Sequence, residues 1–214
     1  SRSAATTNTR CNSFWARGTL VLLQYIVGLS YVSGKNTRRS EGPYLIASNH
    51  QSPWETLAVL VFFPEVAIVA KKELLRIPVV SWYLAHSQMI IIDREAGSAA
   101  LKLMLRQSLL AIEDGRSVLI FPEGSRKSPD EPIAFRRGVE LLYTRLAVPV
   151  MPMIVNSGRF WGPSLPCKRP GRIVVSLLPL VGPALAPAAF SEKLLSVMED
   201  ERRRTSDAAF AYDR

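Results

Sequence analysis

Residues 44–55 read YLIASNHQSPWE, and over this stretch an apolar run changes into a polar turn and then into a helix start. The run Tyr44–Ser48 is almost continuously apolar, as in a strand that is covered on both faces. Ser52 is a favourable N-cap, and Pro53 suits the first position of a helix. The stretch therefore predicts a buried strand that leads through a short turn into a helix.

Apolar runs of the same kind recur along the chain and alternate with helical patterns. The clearest helix is Ser98–Asp114, where leucines repeat at helical spacing until Gly115 stops the pattern. This alternation predicts an α/β fold, namely a single layered domain with a mixed, mostly buried sheet flanked by helices, plus an N-terminal interfacial helix. The other predicted elements are strands Val66–Ala70, Met89–Ile92, Val118–Phe121, Val150–Val155 and Ile173–Leu178, and a last helix over Phe190–Arg204.

The composition is that of a globular protein, because 48% of the 214 residues are hydrophobic and 21% are charged. That length suits one domain with a buried core. The two cysteines, Cys11 and Cys167, lie far apart, and the two histidines are His50 and His86. These residues form neither a disulfide framework nor a zinc-ligand spacing, so no metal site is predicted.

Residues 1–40 are predicted to form a basic, amphipathic, membrane-associating segment that precedes the domain of residues 41–214. No acidic residue precedes Glu41, whereas six basic residues do. Apolar and aromatic side chains cluster between Phe14 and Leu29, but the uninterrupted part is shorter than the roughly 20 residues that span a bilayer. We expect a helix that lies in the membrane interface, with a core helix of the domain as the alternative. The net charge of +9 agrees with an anionic partner.

The position of Glu55, three residues after Ser52 and five after His50, supports two interpretations. In a capping box, Glu55 would accept a hydrogen bond from the backbone N–H of Ser52. In a catalytic pair, Glu55 would hold one ring nitrogen of His50 and leave the other free to accept a proton from a hydroxyl. The capping box does not explain His50 or Asn49. The carboxyl end of a strand is also where open α/β sheets place their sites.

Four motifs occur in order between Gly42 and Gly158, and together they resemble those of the glycerolipid acyltransferases, which include the lysophosphatidic acid acyltransferases. Asn49–Glu55 is similar to the family's His-x4-Asp motif, with Glu55 in place of Asp. Phe121–Arg126 is similar to Phe-Pro-Glu-Gly-Thr-Arg, with Ser125 in place of Thr; alone, it would be an ordinary turn with a surface charge. The other two motifs are Met89–Arg94, which ends in Ile-Asp-Arg, and Val148–Met153, in which prolines are expected to shape an edge or wall strand.

The resemblance implies a role for each matching residue. His50 would be the general base, and Glu55 would orient and support its ring. Residues 70–74 also match the family's Ala-Lys-x-Glu-Leu stretch, which adds Lys71. An arginine fork or a lysine suits a phosphate group, so a phosphate-bearing acceptor would be held by Lys71, Arg94, Glu123, Gly124, Ser125 and Arg126. Residues 41–214 would then be the acyltransferase domain.

The implied reaction is transfer of a fatty acyl group from acyl-CoA or acyl carrier protein to the free hydroxyl of a lysophospholipid. The first candidate acceptor is 1-acyl-sn-glycerol-3-phosphate, which would give phosphatidic acid. Apart from the acyl donor, no cofactor is implied, and the expected location is the cytoplasmic face of a membrane. Acyl carrier protein is also a candidate partner.

Three alternatives stay open. The same His50–Glu55 pair could acylate another lyso-lipid, such as lyso-ornithine lipid, or glycerol-3-phosphate. A non-catalytic basic protein that binds membrane or nucleic acid would explain the charge, but basic and aromatic residues are not interleaved as nucleic-acid binding favours, so no nucleic-acid partner is predicted. A serine hydrolase is disfavoured because the chain has no Gly-x-Ser-x-Gly motif.

Overall fold

In a computed structural model, the protein forms a seven-stranded sheet with helices on both faces. The structure describes residues 13–33, 42–76, 89–163 and 167–211. The strands are β1 (Leu29–Ser33), β2 (Leu45–Ser48), β3 (Ala67–Lys71), β4 (Ile90–Ile92), β5 (Val118–Ile120), β6 (Val150–Val155) and β7 (Gly171–Leu177). The helices are α1 (residues 13–22), α2 (Trp54–Phe62), α3 (Ser98–Glu113), α4 (Arg137–Leu146), α5 (Gly158–Trp161) and α6 (Pro187–Ala211).

The strand order is β1-β7-β6-β2-β5-β3-β4. All neighbours pair in parallel except β6 and β7, which are antiparallel. As a result, β1 and β7 run opposite to the other five strands. The carboxyl ends of those five strands and the first residues of β1 therefore meet at one edge of the sheet, which we call the site edge.

The central strands are buried on both faces, as their continuous apolar sequences predicted. Every residue of β2, β5 and β6 is buried. Ile46 and Leu119 pack into a cluster with α1 and α2, whereas Leu45 and Val118 pack into a second cluster with α3, α4 and α6. The predicted α/β fold with a mixed sheet between layers of helices is thus confirmed.

The predicted strands agree with the observed ones to within two residues at each end. The last helix is longer than predicted, because Pro187 suits its first turn and neither Gly nor Pro follows Arg204. The predicted helix at the N-terminus is present over residues 13–22. It passes into a π-helical turn, Leu23–Val27, and then stops at Gly28, whose φ of 75° favours glycine.

Strand β1 was not predicted, because most of its side chains are exposed and it lacks a buried apolar pattern. It pairs with β7 from Leu29 opposite Gly171 to Ser33 opposite Val175. The predicted boundary between residues 40 and 41 lies outside the described residues. On the N-terminal side of that boundary, β1 belongs to the same sheet as the rest of the chain.

Strand β6 lies between β7 and β2, so of the two expectations for Pro149 and Pro152, an edge or a wall strand, the edge strand is wrong. Pro149 precedes β6, and Pro152 lies within it. Pro152 faces β7 just before the paired positions Met153–Val155, and its carbonyl accepts a hydrogen bond from the backbone of Leu178. The missing N–H therefore removes one bond at the end of the β6–β7 ladder and leaves the pairing with β2 intact.

Across the described ranges, none of the helices is long and apolar enough to cross a bilayer.

Candidate active site

The polar residues selected from the sequence follow adjacent strands at the site edge. His50 follows β2, Glu123 follows β5, Lys71 ends β3 and Arg94 follows β4. These four strands are neighbours in the order β2-β5-β3-β4 and run in the same direction. The fold therefore brings together segments that are far apart in the sequence.

His50 and Glu55 form a close pair at the start of α2. The Nδ1 atom of His50 lies 3.1 Å from Oε1 of Glu55. Glu55 is completely buried, whereas the side chain of His50 is 20% exposed. The longer glutamate side chain, in place of the usual aspartate, still reaches the imidazole.

The same carboxylate oxygen also caps the turn. Oε1 of Glu55 accepts hydrogen bonds from the backbone N–H groups of Gln51, at 2.5 Å, and Ser52, at 2.7 Å. The Ser52 hydroxyl accepts a further bond from the backbone of Trp54. The capping interaction and the contact with His50 are thus not alternatives, because one oxygen takes part in both.

This geometry assigns the tautomer of His50. Oε1 already accepts two backbone N–H groups, so the facing Nδ1 must donate, and Nε2 is left as the proton acceptor. The ring stacks on Phe121, with centroids 4.0 Å apart and planes inclined by 21°. The imidazole is therefore held at one nitrogen and along one face, which suits a general base.

Glu123 lies behind His50, not in the open part of the site. Its side chain is buried, and Oε2 accepts a hydrogen bond of 2.8 Å from the backbone N–H of His50. Burial raises the pKa of Glu123 to about 7, against the opposing effect of that hydrogen bond. The backbone N–H of Lys127 donates to the carbonyl of His50. The loop after β5 thus holds the main chain of His50 at both its N–H and its carbonyl group.

The positively charged candidates lie farther out along the site edge. Arg126 is exposed, and Lys71 is partly buried at the end of β3. The side chain of Arg94 lies outside the described part of the structure. Lys72 is exposed, and its Nζ atom lies 3.4 Å from Oδ2 of Asp93.

Gly124 and Ser125 connect the buried Glu123 to the exposed Arg126. Gly124 adopts a φ of 74°, where a side chain would be strained, and its N–H donates to the carbonyl of Phe121. Ser125 is partly buried. The loop therefore turns tightly at Gly124, and this turn carries the chain from the buried Glu123 to the exposed Arg126.

Three residues of the site were not among the predicted site residues. The side chain of Asn49 exchanges two hydrogen bonds with the backbone of Val155, and Oε1 of Gln51 accepts from the N–H of Gly158. The Ser157 hydroxyl donates to Oε2 of Glu55 at 2.7 Å. Asn156–Gly158 follows the carboxyl end of β6, so the criterion that selected His50 and Glu123 could also have selected this segment.

Among the described residues, histidine, cysteine and acidic side chains form no group that could hold a metal ion. Cys167 is a free, exposed cysteine. Cys11 and His86 lie outside the described residues.

The chain is similar in sequence to known acyltransferases. The 1-acyl-sn-glycerol-3-phosphate acyltransferase of Pseudomonas aeruginosa is 36% identical over 171 residues, which cover 80% of this chain and 65% of that protein. The human 1-acyl-sn-glycerol-3-phosphate acyltransferase beta is 28% identical over 63% of this chain and 49% of its own length. The chain thus spans between about half and two thirds of the length of these relatives.

The crystal structure of the 1-acyl-sn-glycerophosphate acyltransferase PlsC from Thermotoga maritima has a TM-score of 0.74 to this chain. The match covers 92% of this chain and 78% of that one at 20% identity, so it shows a shared fold. A family model described as Acyltransferase matches residues 30–156, which are 127 of the 214 residues and include both His50 and Glu55. The chain therefore belongs to the acyltransferase family.

Proposed function

We propose that the chain transfers a fatty acyl group from a thioester donor to the free hydroxyl of a lysophospholipid, with 1-acyl-sn-glycerol-3-phosphate as the first candidate. The observation that carries the proposal is the contact of 3.1 Å between Nδ1 of His50 and the buried carboxylate of Glu55. It lies within the residues that match the family model. The names of the relatives from Pseudomonas aeruginosa and human support the same acceptor.

In the proposed reaction, Nε2 of His50 takes the proton of the acceptor hydroxyl as its oxygen attacks the thioester carbonyl. Glu55 stabilises the imidazolium that forms. The tetrahedral intermediate then collapses, so that the new ester C–O bond remains and the C–S bond breaks. The imidazolium returns its proton to the departing thiolate, and His50 is ready for the next turnover.

The proposed phosphate-binding residues are Arg126, Lys71 and Arg94, as the resemblance implies. Arg126 follows β5, the strand next to β2, and Lys71 ends β3, two strands or about 10 Å from β2. A phosphate held by these residues at the site edge would place the hydroxyl of the same molecule beside His50. The energy of phosphate binding would then orient the hydroxyl for reaction. Glu123, Gly124 and Ser125 would support this arrangement by shaping the loop.

The proposed location is a membrane surface, on the cytoplasmic side. Four apolar side chains at the end of α1 and in the turn after it are each at least half exposed, and we call them the N-terminal apolar patch: Val21, Leu22, Tyr25 and Ile26. Exposed apolar clusters of this kind are typical of interaction sites. The turn that carries Tyr25 and Ile26 leads into β1, which begins at the site edge three strands from β2, a lateral distance of about 14 Å. A lipid acceptor could therefore reach His50 from the surface that the patch contacts.

The experiment that tests the proposal combines purified His50→Ala with a panel of acceptors. Wild-type protein should convert labelled acyl-CoA or acyl carrier protein and 1-acyl-sn-glycerol-3-phosphate into phosphatidic acid, identified by mass. Loss of the base should lower kcat by about 10²-fold to 10⁴-fold, while circular dichroism shows an unchanged fold. The two donors tested separately would identify the one that is used.

Full activity of His50→Ala would refute the mechanism. Turnover of lyso-ornithine lipid or glycerol-3-phosphate in preference to 1-acyl-sn-glycerol-3-phosphate would retain the mechanism and replace the acceptor. No product with any acceptor would favour a non-catalytic role in binding membranes.

A further inference from the structure

The two oxygens of the Glu55 carboxylate have different partners. Oε1 faces His50 and the backbone N–H groups of Gln51 and Ser52. Oε2 accepts from the hydroxyl of Ser157, at 2.7 Å and across 102 positions of the sequence. Both Glu55 and Ser157 have no exposed surface. Ser157 is thus the partner, within the described part of the chain, that contacts the carboxylate from the side opposite His50.

Ser157 is itself held in place on both sides. Before it, the backbone of Val155 exchanges two hydrogen bonds with the side chain of Asn49, at 2.8 and 2.9 Å. After it, the N–H of Gly158 donates to Oε1 of Gln51 at 3.1 Å. Asn49 and Gln51 flank His50 in the sequence. The turn that carries Ser157 is therefore fastened to the turn that carries the proposed base.

The contact matters because a carboxylate can rotate. The last torsion angle of a glutamate side chain has a broad, roughly two-fold preference, so packing and hydrogen bonds must select its orientation. A hydroxyl that donates to a buried carboxylate makes a short, charge-assisted bond in a medium of low dielectric constant. With Oε2 tied to Ser157, Oε1 is left to face Nδ1 of His50.

We propose that Ser157 is a positioning residue, whose hydroxyl holds the Glu55 carboxylate in the orientation that supports His50. This inference rests on the proposed function, because it concerns the same base. Ser157 does not touch the reacting atoms. It acts through Glu55, and its loss should lower the rate of the chemical step without weakening the binding of either substrate.

The test compares Ser157→Ala with Ser176→Ala in the acyl-transfer assay. Ser176 is a suitable control, since it is buried on the neighbouring strand β7 and its hydroxyl also bonds to a glutamate, Glu201. The side chain of Glu201 bonds to Ser176 and Arg204, and not to His50 or Glu55. Both variants lose one buried serine–glutamate hydrogen bond, so both should have a lower Tm. Only Ser157→Ala should lose kcat, by about 10-fold to 100-fold, with the KM of both substrates within about two-fold of wild type.

A second variant, Ser157→Cys, provides a test that does not depend on whether Ser157→Ala folds. Its side chain has nearly the same shape, but a thiol is a weaker donor than a hydroxyl, so kcat should fall between the values of wild type and Ser157→Ala. Equal kcat in all three proteins would overturn the inference, as would a change confined to KM. His50→Ala measured in parallel separates the two proposals: if it is inactive while Ser157→Ala matches Ser176→Ala, the mechanism stands and the role of Ser157 fails.

Discussion

At the residue scale, the carboxylate of Glu55 joins local folding to proposed chemistry. The hydrogen bonds from Gln51 and Ser52 stabilise the start of α2, and the contact with His50 fixes an imidazole tautomer. Since the carboxylate is buried, each of these interactions is stronger than it would be in water. A substitution at Glu55 would therefore change stability and activity together, which makes it a poor probe of either alone.

Glu123 offers a cleaner experiment, because its pKa is raised to about 7 by burial. The folded state then holds its proton more tightly than the unfolded state, so the free energy of unfolding should fall as the pH rises from about 4.5 to about 7. Glu123→Gln removes this contribution and keeps an oxygen that can accept from the backbone of His50.

The prediction for Glu123→Gln is measured as a difference between two urea titrations at pH 4.5 and at pH 8. Relative to wild type, the variant should gain stability at pH 8, by no more than about 3 kcal/mol, and little at pH 4.5. Taking the difference removes the shared contributions of Glu199 and Glu201, whose lowered pKa values favour folding at higher pH. If Glu123→Gln changed the free energy of unfolding equally at both pH values, the raised pKa of Glu123 would be contradicted.

Much of the site could be predicted at this scale, but not the buried hydrogen bonds that hold it from distant parts of the sequence. A turn between a strand and a helix can bring His50 and Glu55 together, and the resemblance to the His-x4-Asp motif singles out this pair. Glu123 was selected through its motif, but its bond to the backbone of His50, from 73 positions away, was not predicted. Ser157 bonds to Glu55 from 102 positions away. Such bonds depend on which strands are neighbours, and a single sequence with local patterns does not give the strand order.

At the scale of elements, the contact between the segment after β6 and the turn before α2 is unusually close. A Cβ atom at Gly158 would lie 2.9 Å from Cβ of Gln51 and 2.9 Å from Cγ of Pro129. These distances are shorter than carbon atoms tolerate without a shift. Glycine at this position thus lets α5 begin directly against the site.

Gly158→Ala should therefore destabilise the protein by about 1–3 kcal/mol, the usual range for overpacking in a core, measured as a lower Tm. Gly182→Ala is the matched control, because nothing lies within 4 Å of its added Cβ. A Gly158→Ala protein that melts together with the control would show that the two segments are less tightly packed than described.

Elements with a continuous apolar pattern were predicted well, and β1 was not. The interior strands have buried side chains on both faces, which leaves a clear signal in the sequence. Leu29 is buried in β1, but Tyr31 and Val32 are exposed. An edge strand that is half covered resembles the amphipathic helix that precedes it, so only tertiary pairing with β7 separates the two.

At the scale of the whole molecule, the antiparallel pair β6–β7 places the N-terminal apolar patch at the site edge. Replacing Tyr25 and Ile26 by serine should weaken binding to vesicles of phosphatidylcholine and phosphatidylglycerol by about 10-fold or more, because each buried apolar side chain contributes about 1.5–3 kcal/mol. Co-sedimentation measures the bound fraction.

The control for the patch variant is a double replacement of Leu103 and Leu110 by serine. These leucines are 41% and 52% exposed on α3, a helix that leads away from the site edge. Equal losses of vesicle binding in the two double variants would mean that the patch has no special part in membrane association.

The pairing of Leu29 with Gly171 also has a consequence during synthesis on the ribosome. At about 5–20 residues per second, some 142 further residues take on the order of 10–30 s to emerge. Throughout that interval, β1 has no partner strand, and the apolar residues before it are covered only by the residues that have already emerged. If these residues bind lipid as proposed, the nascent chain would be anchored at the bilayer before its catalytic turn has been assembled.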